Sequence, residues 1–124
     1  TWRKSFDTFT PIGPWIVTKD EINDVSNLTL RTWINDELRQ NNNTRNLIWD
    51  VPNLISYYSR FMTLKPGFLI ATGTPGGPAL GSDTELGADP YHREDGVKRG
   101  GYMNSGDVMR LEIDEIGVLR NQIE

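Results

Sequence analysis

Leu28-Thr29-Leu30-Arg31-Thr32-Trp33-Ile34, the pair Asn35-Asp36 and the return Glu37-Leu38-Arg39-Gln40 decide the fold. Successive side chains of an extended chain point to opposite sides, so Leu28, Leu30, Thr32 and Ile34 share one face of a half-buried strand. Asn and Asp tolerate the positive φ that a tight connection demands. The second run is therefore expected to return antiparallel as a hairpin, and Asn41-Asn42-Asn43-Thr44 then reads as a loop.

Outward from this hairpin, Trp15-Ile16-Val17-Thr18 is a short β-rich run closed by Lys19-Asp20-Glu21. Asp50 is a good helix N-cap with Pro52 in the first turn, and Val51, Leu54, Ile55, Tyr58, Phe61 and Met62 recur at helical spacing. One main packed helix is expected over 51–62 with its apolar stripe buried. It should stop before Lys65-Pro66-Gly67, because proline pushes its predecessor out of the right-handed helical region. Phe68-Leu69-Ile70-Ala71-Thr72 reads as a buried strand. The tail reads as a second hairpin, Val108 to Ile113 and Val118 to Ile123, joined through Asp114-Glu115-Ile116-Gly117. About six short strands and one helix make the fold class mostly β.

Between these elements, residues 73–106 hold nine of the 12 glycines together with Pro75, Pro78 and Pro90. Residues 76–104 form a long Gly-rich loop, and structureless loops beyond ~12–15 residues are functional lids or disordered segments. Hinges are expected near Gly76-Gly77 and Gly100-Gly101. No repeat of the length used by solenoids or propellers occurs.

The 124 residues carry 13 Lys and Arg against 17 Asp and Glu, a net charge of −4, which argues against a nucleic-acid partner. No apolar run approaches the length of a membrane span. The chain contains no cysteine, which excludes disulfides, thiolate metal sites and cysteine nucleophiles and inclines the expectation toward the cytoplasm. Its chemistry must come from oxygen, amine or imidazole groups.

Few residues stand out by spacing alone. Lys4 lies where polar and aromatic residues alternate, and beside a pocket its ammonium would meet a substrate carboxylate or a developing enolate. The plainer reading is a solvated lysine near a chain end. Thr72-Gly73-Thr74-Pro75-Gly76-Gly77 follows an expected buried strand, where glycines permit close backbone approach to a ligand. It lacks the Lys-Ser/Thr pair of a phosphate loop, and a structural turn is the default. His92 among Asp89, Glu94 and Asp95 matches no metal-ligand spacing, and Asp20, Glu21, Asp24, Asp83 and Glu85 read as exposed charge. Trp2, Trp15, Trp33 and Trp49 read as core residues before they read as a stacking platform.

Taken together and in order, several stretches resemble the C-terminal half of the fumarylacetoacetate hydrolase family. They are Lys4 to Phe9 with Pro11-Ile12-Gly13-Pro14-Trp15, then Trp33 to Gln40, Leu54 to Gly67, Thr72-Gly73-Thr74-Pro75, and the closing Ser105-Gly106-Asp107 hairpin. The resemblance implies a mixed β-roll or β-sandwich, with residues 1–124 forming the C-terminal part of one catalytic domain that usually dimerises. It implies a magnesium or manganese ion whose carboxylate ligands lie upstream of the lysine motif, so that this chain contributes no metal ligand. It also implies that Lys4 is catalytic and contacts substrate oxygens, and that Thr74, with Gly73 beside it, binds the substrate's carboxylate or carbonyl. Arg3 stands where relatives commonly have Gly, and Gly76-Gly77-Pro78-Ala79-Leu80-Gly81 replaces a Gly-Val-Gly run.

The activity so implied is metal-dependent hydrolysis of the C–C bond of a dicarbonyl acid of the acylpyruvate or diketo-acid type. The nearer alternative is an isomerase, decarboxylase or dehydratase acting on a 2-oxo acid. The more distant one is a non-catalytic β-sandwich whose tryptophans bind a ligand.

Overall fold

The structure, a computed structural model, describes residues 5–79 and 101–124. The deciding hairpin forms as β1 (Thr29–Ile34) and β2 (Glu37–Asn43), paired antiparallel. Asn35 takes the left-handed conformation at φ 54° that closes the two-residue turn.

One feature of the hairpin departs from the ideal register. Ile34 faces Glu37 and Trp33 faces Leu38, but Thr32 faces Gln40, with a shift between Thr32 and Trp33. Arg39 is thus the extra residue of a β-bulge. An unbroken register would set Gln40 opposite Arg31; the bulge sets it opposite Thr32. Beyond the bulge the Asn41-Asn42-Asn43 run continues β2, facing Arg31, Leu30 and Thr29, where the sequence suggested a loop. Pairing to β1 outweighs the weak strand propensity of asparagine.

The second hairpin is β3 (Val108–Ile113) and β4 (Gly117–Gln122). Because β1 pairs with both β2 and β3, the sheet is antiparallel with order β2-β1-β3-β4. Asn35 joins the two hairpins at one end. Its amide donates to Asp107 Oδ1 at 3.0 Å, and its side-chain oxygen accepts from the Val108 N–H at 3.0 Å. The Asn104 N–H donates to the other oxygen of Asp107 at 2.8 Å. These bonds, the one from Asn104 foremost, hold the Asp107 carboxyl below its ordinary pKa. Their stabilisation is present above the ordinary carboxylate pKa and is lost as pH falls through the lowered value.

Helix α1 (Val51–Ser59) starts as expected, with Asp50 Oδ1 accepting from the Asn53 N–H at 2.8 Å. It ends earlier than residue 62, because Arg60 and Phe61 donate to Tyr57 and Tyr58, three residues back, and tighten the last turn. Among the described residues the mostly-β class with one main helix is therefore observed.

Burial differs from the expectation. Leu28 and Thr32 are the buried residues of the described chain, at 4% and 9% exposure. No helix residue is buried, and the stripe residues Ile55 and Phe61 are 46% and 59% exposed. Amphipathic spacing calls for a covering surface, and the described residues do not supply it. Two expected strands are likewise irregular chain. Residues 15–18 and 68–72 pair with no strand among the described residues, and Leu69 is exposed. β-Branched and aromatic residues fit a pleated surface only when a neighbour completes it. Trp15 instead lies against Gly117 and donates its indole N–H to the Ile116 carbonyl at 2.7 Å.

Candidate functional site

The Thr72-Gly73-Thr74-Pro75 segment runs past the edge of the sheet at β2 as irregular chain. Gly73 has φ 95°, a conformation that side-chain-bearing residues rarely adopt, and no atom lies within 4 Å of where a Cβ would stand. Among the described residues glycine is needed here for the backbone turn, since no neighbouring atom crowds it.

Gln40 fastens the segment to the sheet. Its Nε2 donates to Thr74 Oγ1 and to the Pro75 carbonyl, both at 2.9 Å. Its Oε1 accepts from the buried Thr32 hydroxyl, also at 2.9 Å. Two residues after Pro75, the Gly77 backbone lies against the bulge. A Cβ at Gly77 would stand 2.3 Å from the Arg39 carbonyl oxygen, and φ is 104°, so a side chain there would force the segment off β2. The sequence suggested a hinge at Gly76-Gly77; Gly77 provides this close approach. Arg39 itself donates to Glu37 at 2.8 Å.

Thr74 is exposed, and its hydroxyl meets Gln40 among the described residues. The segment thus presents the hydroxyls of Thr72 and Thr74 and a glycine backbone, with Thr74 tied to the sheet edge through Gln40. A threonine hydroxyl can donate a hydrogen bond to an acidic or carbonyl oxygen, and the segment holds no acid and base of matched role. Thr74 and Gly73 are chain neighbours on this segment. Lys4 lies outside the described residues, as do Trp2, Asp83, Glu85, Asp89, His92, Glu94, Asp95 and the central part of the 76–104 loop. Gln40 was missed by sequence reasoning. It ends the family-like stretch Trp33 to Gln40, from which no site role was read, and the bulge at Arg39 turns it toward Thr32 and Thr74.

The remaining candidates fall to plainer roles. Asp20 and Glu21 belong to the short 3-10 turn Lys19–Glu21, and Asp24 accepts from the Ser26 N–H and hydroxyl at 2.9 and 2.6 Å. Hydrogen bonds from Thr18 and Ser26 lower the Asp20 and Asp24 pKa values. Trp33 lies on β1 with the Arg110 guanidinium 3.8 Å over its ring, Trp15 caps a hairpin, and Trp49 precedes α1. Trp15 and Trp49 are 59% and 63% exposed, outside the core where the sequence placed them. Among the described residues no group of three or more His, Cys, Asp or Glu side chains converges on a point that could hold a metal ion. The described donor set does not fit a divalent ion. A groove of about 580 Å³ lies along α1 between Trp49, Asn53, Leu54 and Tyr57, with no residue of the Thr74 segment in its wall.

Comparison with known proteins gives consistent matches. The model of the fumarylacetoacetate (FAA) hydrolase C-terminal domain matches residues 1–124. The chain is 62% identical over 120 residues to a 4-hydroxyphenylacetate degradation bifunctional isomerase/decarboxylase of Salmonella dublin, covering 97% of this chain and 23% of that protein. It is 41% identical over 120 residues to a mitochondrial oxaloacetate tautomerase of Xenopus laevis, covering 97% of this chain and 33% of that one. The crystal structure of maleylpyruvate hydrolase from Sphingobium sp. SYK-6 in complex with manganese(II) and pyruvate superposes with a TM-score of 0.76 at 38% identity, over 98% of this chain and 38% of that one. The chain thus spans a third or less of the length of these two curated relatives.

Proposed function

Because the chain belongs to the fumarylacetoacetate hydrolase family, we propose that within its complete protein it supplies the acid-binding edge of an enzyme that acts on a dicarbonyl or 2-oxo acid. The observation that carries this reading is the exposed Thr74 hydroxyl on a segment fixed to the sheet by Gln40. Thr74 donates to the substrate's carboxylate or carbonyl oxygen, Gly73 lets the backbone come close, and Lys4 offers positive charge to the oxygen that becomes an enolate. The chain uses placed charge and hydrogen bonds, not a nucleophile.

The reaction within the family has two readings. C–C hydrolysis, the activity implied first by the sequence, is supported by the likeness to maleylpyruvate hydrolase. Isomerisation or decarboxylation is favoured by the 62% identity to a bifunctional isomerase/decarboxylase, and we place it first. The three chemistries share a need: each passes electrons onto a carbonyl oxygen next to an anchored acid group, and that is what Lys4 and Thr74 serve. The divalent ion, magnesium or manganese, is assigned to the part of the complete protein outside this chain; a relative holding manganese and pyruvate supports its use. The half-exposed stripe of α1 supports a covering surface from the same complete protein or from a second copy in a homodimer. The cysteine-free composition supports a cytoplasmic setting.

Product analysis of the complete protein with manganese tests the reading. Given an acylpyruvate and an unsaturated 2-oxo diacid, it should release CO₂ from the diacid or move its double bond. Release of pyruvate plus a second acid from the acylpyruvate would instead establish hydrolysis. No turnover of either class contradicts the proposal.

A further inference from the structure

We propose that Gln40 is a positioning residue that fixes which way the Thr74 hydroxyl points its proton, and so makes the site select a hydrogen-bond acceptor over a donor. The inference rests on the reading that Thr74 meets the substrate, and goes beyond it by assigning the origin of that preference. A glutamine amide can be turned either way, and its neighbours decide which. Here the Pro75 carbonyl can only accept, so the Gln40 atom 2.9 Å from it must be Nε2. The opposite end agrees, because Thr32 gives its proton to Oε1 at 2.9 Å. Thr32 is 9% exposed and faces Gln40 across the strands, so this end is held from within the sheet.

With the amide so fixed, its second N–H points at Thr74 Oγ1, 2.9 Å away. A hydroxyl has one proton and two lone pairs. One lone pair is taken by Gln40, and no described group accepts the proton, which is left to be donated outward. An ionised carboxylate is acceptor-only, and a hydrogen bond to it is shorter and stronger than one between neutral groups. The Thr32, Gln40 and Thr74 chain therefore delivers a donor to the site without using a charged residue. The bulge at Arg39 is what allows it, since the unbroken hairpin register would turn Gln40 to the other face of the strand.

The test uses the complete enzyme with manganese and two probes, oxalate and oxamate, which differ in that an amide replaces one carboxylate. Thr74→Val should weaken oxalate by on the order of 10- to 100-fold, as expected for a lost hydrogen bond to a charged group, and Thr74→Ser should restore most of it. In Gln40→Glu, which keeps the side-chain size, the carboxylate would accept the Thr74 proton and turn the hydroxyl's lone pairs outward. Oxalate should then weaken by about 10-fold or more, while oxamate, able to present an N–H, weakens several-fold less. Equal weakening of both probes would mean that Gln40 is only a structural tether, and unchanged oxalate binding would mean that it does nothing at the site; either overturns the inference. Gln40→Met provides an arm that does not depend on how the Glu variant folds. In the Gln40→Met background Thr74→Val should cost less than in the wild type, and equal costs overturn the coupling. Should Thr74→Val alone leave oxalate binding unchanged, the substrate-anchor reading itself fails and takes this inference with it. Loss in Thr74→Val with none in either Gln40 variant removes only the inference.

Discussion

Lys4→Ala in the complete enzyme should lower kcat by ~10²–10³-fold, the usual cost of removing one preorganised stabiliser of developing charge. The reason is electrostatic. An ammonium is a compact charge, and where water is excluded it stabilises an enolate oxygen far more than it stabilises the neutral carbonyl that precedes it. Metal affinity should stay nearly unchanged, because a lysine cation is not a ligand for a divalent cation. Lys4 itself lies outside the described residues, but the chain just after it turns tightly: the Phe9 N–H donates to the Phe6 carbonyl at 3.1 Å and the two rings lie 5.2 Å apart. Steady-state kinetics and a manganese titration check this together. Retention of more than about a third of wild-type kcat would be far too small a loss for such a role.

The second large effect is expected from separating these 124 residues from the rest of the protein. Calorimetry of the isolated chain with magnesium or manganese should show no micromolar binding, and the chain should not turn over a dicarbonyl acid. Hard divalent ions want about six oxygen ligands, several of them carboxylates. The described carboxylates are dispersed, with Asp107 held by Asn35 and Asn104 and Glu37 held by Arg39. Micromolar binding would show that Asp83, Glu85, Asp89 or Glu94 forms a site of its own.

Much of the sheet was legible in the residues, and the reasons it was so also mark where legibility stops. Alternation and turn chemistry are local, and they placed β1, the first half of β2, both hairpins and the Asp50 cap. The bulge at Arg39 has no such local signal. Nothing in Leu38-Arg39-Gln40 announces it; it lies where the Gly77 backbone passes close to the Arg39 carbonyl, with no room for a side chain, and the Gln40 amide meets Pro75. The Asn41 to Asn43 run read as a loop because asparagine favours turns, and it became a strand because β1 offered it a partner. Conversely, Phe68 to Thr72 had strand composition and found no partner among the described residues. The helix stripe was legible as apolar spacing, whereas its burial depends on a surface elsewhere.

The site was legible to a lesser degree. From spacing alone, Thr74 was a residue in a glycine-rich turn and Lys4 a lysine near a chain end. The roles proposed for them came from resemblance to the family to which the chain belongs. Gln40 came only from geometry, since a polar residue at the end of an expected strand gives no hint that it reaches a segment 34 residues away.

The measurement that bears most directly on the account is a crystal structure of the complete protein with manganese and bound pyruvate. The account predicts that a carboxylate or carbonyl oxygen of pyruvate lies within about 2.5–2.8 Å of Thr74 Oγ1, the range of a hydroxyl donating to oxygen, with Gln40 still bonded to the same hydroxyl and Lys4 facing the substrate. Pyruvate bound with its oxygens turned away from the Thr74 segment, or Thr74 turned to give its proton back to the protein, would contradict it.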